Sequence, residues 1–326
     1  MKVLVTARMP EEVLSLIGRD HQIESYAADL PLDRQELLRS IADKQGLLCT
    51  ITDRIDTEVL DRAPGLKVIA NYGVGFEHID LDAATRRGIP VSNTPGVLTE
   101  TTADLAFALI LATARRVVAG DQRVRQGKFQ YWAPLLFLGE EVNGKTLGII
   151  GMGRIGKAVA RRAAGFGMRL LYHSRTPLSP LEEQELGASL QPLEALLREA
   201  DFVTLHVPLT PHTRHLIGSR ELGVMKDSAF LINTARGPVV DEAALVAALR
   251  QGQIRGAGLD VYEKEPELSP GLADLENVVL LPHLGSATVA TRTRMAVMAA
   301  ENLLAGLRGD PPPNCLNWSK LKRNPA

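Results

Sequence analysis

Short aliphatic runs alternate with amphipathic stretches along almost the whole chain. Lys2 to Ala7 has no alternating polar face, so it predicts a strand buried on both sides, as in a parallel sheet. Pro10 to Leu16 then predicts a helix. Gly46 to Thr50, Lys67 to Ala70 and Pro90 to Ser92 predict further strands, with helical stretches between them. At Thr99-Glu100-Thr101-Thr102 a long apolar helix opens, expected to run to about Arg125 with Thr99 as its N-cap. Thr102 and Asp104 would sit near the positive end of its dipole. A loop containing Gly127, Trp132, Pro134 and Gly139 follows.

A second strand–helix series then predicts strands at Thr146–Ile150, Arg169–His173, Phe202–His206, Ala229–Asn233, Gly258–Val261 and Val278–Leu281. The last helix, Thr288 to Leu307, meets the helix-breaking segment Gly309-Asp310-Pro311-Pro312-Pro313. Strands separated by helices predict an α/β fold of two doubly wound, Rossmann-like parallel-sheet domains. Whether the last helix returns to the first domain is left open by the pattern.

Composition narrows the classes. A chain of 326 residues exceeds one ordinary core and suits two domains. Its formal net charge of -1 gives no basic field for nucleic acid or an anionic membrane. Cys49 and Cys315 are too far apart in sequence for a metal-ligand spacing or a disulfide framework, so no metal is expected. The apolar run at the amino terminus is shorter than a signal core, and Leu105 to Ala114 is about half the length that crosses a bilayer. A cytoplasmic protein with no membrane and no nucleic-acid partner is expected.

Candidate chemistry begins at Gly151-Met152-Gly153-Arg154-Ile155-Gly156, which follows a predicted strand at once and opens a helix from Ile155 to about Ala164. In that context the spacing is a dinucleotide fingerprint. The first glycine permits the turn, the second admits the pyrophosphate, and the third lets the helix approach the strand. Free N–H groups at the helix start would face the phosphates. An NAD site usually has an acid about 20 positions further on to grip the ribose 2′-OH. Here the strand ends in Ser174-Arg175 instead. A hydroxyl beside a guanidinium suits a 2′-phosphate, so NADP(H) is preferred and NAD(H) remains possible.

Hydride transfer to the carbonyl of an anionic substrate would need a cation for the anion, a proton donor for the carbonyl oxygen and a group to tune that donor. Arg236, Glu265 and His283 supply one of each, and each follows a predicted strand. Arginine grips a carboxylate in a fork, and a carboxylate near histidine favours the protonated ring that donates. His206, ending the strand before Val207-Pro208, is the rival histidine and is read as lining the cofactor groove.

With these residues in place, the chain resembles the D-isomer-specific 2-hydroxyacid dehydrogenases over nearly its whole length. The resemblance rests on Asn71-Tyr72-Gly73-Val74-Gly75-Phe76, Thr101-Thr102-Ala103-Asp104-Leu105-Ala106-Phe107 and the glycine motif. It continues through His206-Val207-Pro208-Leu209-Thr210, Ile232-Asn233-Thr234-Ala235-Arg236-Gly237, Gly258-Leu259-Asp260-Val261, Glu265-Pro266 and Pro282-His283-Leu284-Gly285-Ser286. It implies a discontinuous substrate domain, residues 1–98 and 286–326, around a cofactor domain of residues 99–285. It also implies a homodimer joined through the helix after Thr99 and the Trp132 loop. By the same resemblance Arg236 holds the substrate, His283 is the acid/base, Glu265 orients it, and the N–H groups of Val74 and Gly75 bind the substrate carboxylate. Cofactor contacts would come from Thr102, Gly151, Gly153, Arg154, Ile155, Gly156, Ser174, Arg175, Thr176, Val207, Pro208, Thr213, Thr234, Ala235, Asp260, His283 and Gly285.

Within the family the chain looks most like the glyoxylate/hydroxypyruvate reductases, through Leu170 to Thr176 and Asn314-Cys315-Leu316-Asn317. Phosphite dehydrogenases carry a lysine where this chain has Val74. Phosphoglycerate dehydrogenases usually have the acid that Ser174-Arg175 lacks. Long-chain formate dehydrogenases have glutamine-proline in place of Glu265-Pro266. The expected activity is NADPH-dependent reduction of a small 2-keto acid. A broader reductase acting on 2-ketogluconate or phenylpyruvate, and a nucleotide-sensing relative without catalysis, stay open as alternatives.

Overall fold

All twelve strands of the computed structural model pair in parallel, in two separate sheets, and the structure describes residues 1–28 and 30–321. By contact the chain falls into two compact units, Met1–Leu98 with Thr288–Ala326, and Thr99–Ala287.

The first unit holds β1 (Lys2–Val5), β2 (Gln22–Ser25), β3 (Gly46–Cys49), β4 (Val68–Asn71) and β5 (Val91–Ser92), in the order β2-β1-β3-β4-β5. One face of this sheet packs Leu4, Leu47, Ile69 and Val91 beneath Leu37, Val59 and Ala83. The other face packs Val3, Val5, Leu48 and Val68 against Ala296, Ala299, Ala300, Leu303 and Leu307 of the helix Val289–Arg308. That helix therefore belongs to the first unit. Thr288 caps it through Thr291 N–H, and Gly309 closes it in the left-handed conformation.

The second unit holds β6 (Thr146–Ile150), β7 (Arg169–His173), β8 (Ala188–Leu190), β9 (Phe202–Leu205), β10 (Phe230–Asn233), β11 (Gly256–Leu259) and β12 (Val278–Leu280). Their order is β12-β11-β10-β9-β6-β7-β8, so the winding reverses between β6 and β9. In such sheets ligands bind beyond the carboxyl ends of the strands at that reversal. The helices Thr99–Ala114 and Arg154–Ala164 cover one face, and Leu196, Leu222, Leu245 and Leu249 cover the other.

Three expectations need correction. The single helix to Arg125 is two helices, Thr99–Ala114 and Val117–Arg125, broken where Arg116 takes a left-handed φ of 53°. The apolar pattern runs on through Val117-Val118, but both side chains are exposed there, so no core holds one straight axis. Thr99 is already helical rather than the cap before the helix. Strands β2 and β8 were not expected: each is a sheet edge, and Gln22, Glu24, Ser25 and Ser189 carry no buried apolar pattern. Among the described residues no helix is long and apolar enough to cross a membrane, and no His, Cys, Asp and Glu group could hold a metal.

Candidate active site

The carboxyl ends of β6, β7, β9, β10 and β11 bring most of the candidate residues of the second unit to one edge of its sheet. At the end of β6 the chain turns through Gly151, whose φ is 98°. A Cβ on Gly151 would stand 2.6 Å from the backbone of His206, and one on Gly156 only 2.2 Å from the Gly151 carbonyl oxygen. No side chain larger than hydrogen fits either place. At Gly153 an added Cβ would meet nothing within 4 Å. Gly153 is the N-cap of the helix Arg154–Ala164 and provides no side-chain cap, so the first N–H groups of that helix stay available to an anion.

Ser174, Arg175 and Thr176 follow β7 directly, and the Gly151 N–H donates to the carbonyl of His173 at 2.8 Å. The residues expected to recognise the ribose thus start next to the glycine turn. Arg175 is exposed and, among the described residues, has no carboxylate partner. Beyond β9, Val207 and Pro208 lead into a loop closed by Thr213, whose hydroxyl donates to the Pro208 carbonyl at 2.6 Å. Thr213 thereby shapes the loop with the hydroxyl expected to meet the cofactor. His206 is held neutral: burial pushes its ring down to about 3, and Nε2 pairs with the Thr204 hydroxyl at 2.9 Å. It is no candidate proton donor near neutral pH.

After β10, Asn233 organises the turn. Its side chain donates to the Arg236 carbonyl at 3.0 Å and accepts the Ala235 N–H at 3.0 Å. Among the described residues the buried Thr234 hydroxyl has no partner, and a bound polar group would satisfy it. Arg236 is extended, and its guanidinium donates to the Ala235 carbonyl at 2.7 Å. Gly237 comes next, where a Cβ would fall 1.8 Å from the backbone of Tyr262. This contact lays the Arg236 turn directly against the segment that leads to Glu265.

Glu265 and His283 meet here. Glu265 Oε2 is 2.9 Å from His283 Nδ1, and its Oε1 accepts the Tyr262 N–H at 3.1 Å. Both side chains remain about one-third exposed, at 35% and 34%, so the pair is formed yet open to a ligand. Burial pushes the Glu265 carboxyl up, but the His283 hydrogen bond, the Tyr262 N–H and the charges of His283 and Arg236 outweigh it and lower it overall. The Tyr262 phenol ties the two loops together by donating to the Leu281 carbonyl at 2.8 Å. Burial drives that phenol up to about 12, so it stays a donor.

Asp260 has a role that its sequence position did not announce. Its carboxylate accepts the N–H groups of Leu284 at 2.6 Å and Gly285 at 2.8 Å. Thr102 donates its hydroxyl to the Gly285 carbonyl at 3.0 Å. Asp260 and Thr102, expected to touch the cofactor, are therefore first of all the clamps of the loop that carries His283. Asn71 and Asn93 were also missed, and they organise the remaining candidates in the first unit. There Asn71 donates to the carbonyls of Gly73 and Gly75, and Asn93 to that of Val74. The loop carbonyls are consumed, and among the described residues no partner takes the N–H groups of Val74 and Gly75. Paired asparagines around a glycine-rich loop were the signal for this.

A tight glycine turn before an uncapped Rossmann helix, with a histidine–carboxylate pair at the same sheet edge, is the arrangement of an NAD(P)-dependent oxidoreductase. The family described as D-isomer specific 2-hydroxyacid dehydrogenase, NAD binding domain, matches residues 107–285. A glyoxylate reductase of Thermococcus litoralis is 50% identical over 328 residues, covering 99% of each protein. A structure from Thermus thermophilus is 53% identical, with a TM-score of 0.91 over 97% of this chain and 100% of that one. An NADPH-dependent glyoxylate/hydroxypyruvate reductase from Sinorhizobium meliloti, solved with NADP and malonate, is 35% identical with a TM-score of 0.85, over 97% of this chain and 96% of that one. The chain belongs to the D-isomer specific 2-hydroxyacid dehydrogenases.

Proposed function

We propose that this protein reduces glyoxylate and hydroxypyruvate to glycolate and D-glycerate, with NADPH preferred over NADH. The observation that carries the reading is the Glu265–His283 hydrogen bond of 2.9 Å, formed beside the Arg236 turn. Because the carboxylate can only accept, His283 Nδ1 carries the proton there and Nε2 is left for the substrate. A ring that also carries a proton on Nε2 can donate it to a carbonyl oxygen. His283 is thus the catalytic acid, Glu265 its orienting partner, and Arg236 the fork that holds the substrate carboxylate. The N–H groups of Val74 and Gly75 are proposed to take a substrate carboxylate.

The nicotinamide, when bound, supplies the hydride that the reduction requires. The uncapped N-terminus at Arg154–Ile155 would receive the pyrophosphate, and the Thr234 hydroxyl, without a partner among the described residues, would gain one. Ser174, Arg175 and Thr176 would surround the ribose. Arg175, with no carboxylate partner among the described residues, is suited to a 2′-phosphate and would give the preference for NADPH. Relatives named as glyoxylate reductases support the choice of a small 2-keto acid.

A homodimer in a reducing compartment completes the proposal. Val117, Val124, Phe129, Trp132 and Leu135 are all more than half exposed, an apolar surface that a second copy would cover. Sedimentation that gives only monomer would remove this part.

The experiment is to follow NADPH oxidation with glyoxylate, hydroxypyruvate, pyruvate, 2-ketogluconate and phenylpyruvate, then to repeat it with NADH. Fast turnover of the first two with NADPH is expected. Preference for a larger acid would move the substrate and keep the mechanism. NADPH binding without turnover of any acid would overturn the enzymatic reading in favour of a sensor.

A further inference from the structure

We infer that Glu242 is the positioning residue for Glu265, and that it sets the alignment of the Glu265–His283 pair without touching substrate or cofactor. The inference rests on the reading of that pair given above. Glu242 opens the helix Glu242–Arg250, directly after its N-cap Asp241. Acids at such positions commonly face solvent and gain from the helix dipole. Glu242 instead is 3% exposed.

Both of its carboxylate oxygens serve one segment. Oε2 accepts the Glu263 N–H at 2.8 Å, and Oε1 accepts the Ser269 N–H at 3.0 Å. Glu263 answers by accepting the Glu242 N–H at 3.4 Å. Glu265 lies between the two fastened points. The loop that carries it is thus closed at both ends by a single carboxylate. Arg214 and His215 hold Glu263 from its other side, at 3.3 and 2.7 Å, which keeps the first fastening point from moving outward.

The choice of residue is informative. Among the described residues no lysine or arginine pairs with Glu242, and a buried carboxylate without a cation is costly unless N–H donors satisfy it. An apolar side chain would fill the same space at lower cost. Only an acceptor with two oxygens takes both N–H groups at once; the amide of glutamine would turn an NH2 against one of them. The loop is only partly buried at Glu265, so packing alone does not hold it. An error of about 1 Å in the orienting group is enough to cost a large factor in turnover.

The test compares the wild type, Glu242→Gln, Glu265→Gln and the double variant, in steady-state reduction across a pH series. Glu242→Gln is expected to lower kcat roughly tenfold, to leave KM for NADPH unchanged, and to move the alkaline limb of the profile in the direction that Glu265→Gln moves it. The double variant should be no slower than Glu265→Gln alone, because both changes remove the same alignment. If Glu242→Gln slows the Glu265→Gln enzyme as much as it slows the wild type, the inference fails. A lowered melting temperature with an unmoved kcat and profile sinks it equally. If Glu265→Gln itself changes neither kcat nor profile, the reading of the pair falls and this inference falls with it. Should Glu242→Gln not fold, Glu242→Asp replaces it in the same comparison: it keeps the charge but is one methylene too short to reach both N–H groups.

Discussion

The backbone N–H of His283 donates to the carbonyl of Asp260 at 3.0 Å, while the Asp260 carboxylate takes the next two N–H groups along the same loop. His283 itself has a φ of 55°, a left-handed conformation that side chains other than glycine rarely adopt. Such a conformation persists only where the surroundings enforce it. Asp260 is what enforces it. Replacing Asp260 with asparagine leaves one of the two N–H groups facing an NH2, so about 1–3 kcal/mol of stability should be lost. Turnover should fall as well, because His283 is released. Thermal melting together with kcat checks this; an asparagine variant that melts and turns over like the wild type would show that the clamp is dispensable.

His283→Ala removes the proposed proton donor. Turnover is expected to drop by roughly 10²–10⁴-fold, the usual worth of general acid catalysis, while NADPH affinity stays close to that of the wild type. Fluorescence titration of NADPH beside the steady-state assay separates the two effects. Undiminished turnover would remove His283 from the mechanism.

Arg175→Ala addresses the cofactor choice. The guanidinium follows β7 and, among the described residues, has no carboxylate partner. Its loss should raise KM for NADPH by one to two orders of magnitude, about the value of a charge-assisted phosphate contact, and leave KM for NADH nearly unchanged. An equal effect on both cofactors would mean that Arg175 does not meet the 2′-phosphate.

The lowered Glu265 carboxyl also shapes acid stability. Burial opposes the shift, and the His283 contact, the Tyr262 N–H and Arg236 produce it. The folded carboxyl binds its proton less tightly than the unfolded one, so in the acid range the unfolded chain holds more protons and stability rises with pH. The contribution is complete above the ordinary glutamate range and disappears as pH falls through the folded value. Asp260 acts in the opposite sense, since burial raises its carboxyl. Urea unfolding of the wild type and Glu265→Gln across the acid range should give curves that converge at low pH. Parallel curves would contradict the assignment.

The sheet-forming runs and the glycine turn were legible because each depends on local pattern: apolar β6, tight turn, uncapped helix. Arg236, Glu265 and His283 were named as candidates because chemistry restricts the residue types and each follows a predicted strand, and the structure sets Glu265 against His283. What stayed hidden is carried by contacts between distant segments. Glu242 in Asp241-Glu242 reads as a solvent-facing acid of a first helical turn, and only the return of the chain at Glu263 and Ser269 buries it. Asp260 reads as a ligand-facing acid at a strand end until Leu284 and Gly285 are seen to occupy it. The break at Arg116 escaped for the opposite reason: apolar residues continue past it, although Val117 and Val118 are exposed.

The helix Val289–Arg308 completes one face of the first sheet, with Leu303 and Leu307 closed over Gly46 and Val68 lodged against Gly306. During synthesis the first five strands therefore emerge with one apolar face uncovered, and the covering helix arrives only after residues 99–287 have been made. Folding units complete themselves as their residues become available. The second unit is therefore expected to close first, with residues 1–98 among the last parts to become native. Protease challenge of nascent chains stalled before and after this helix would read that order directly.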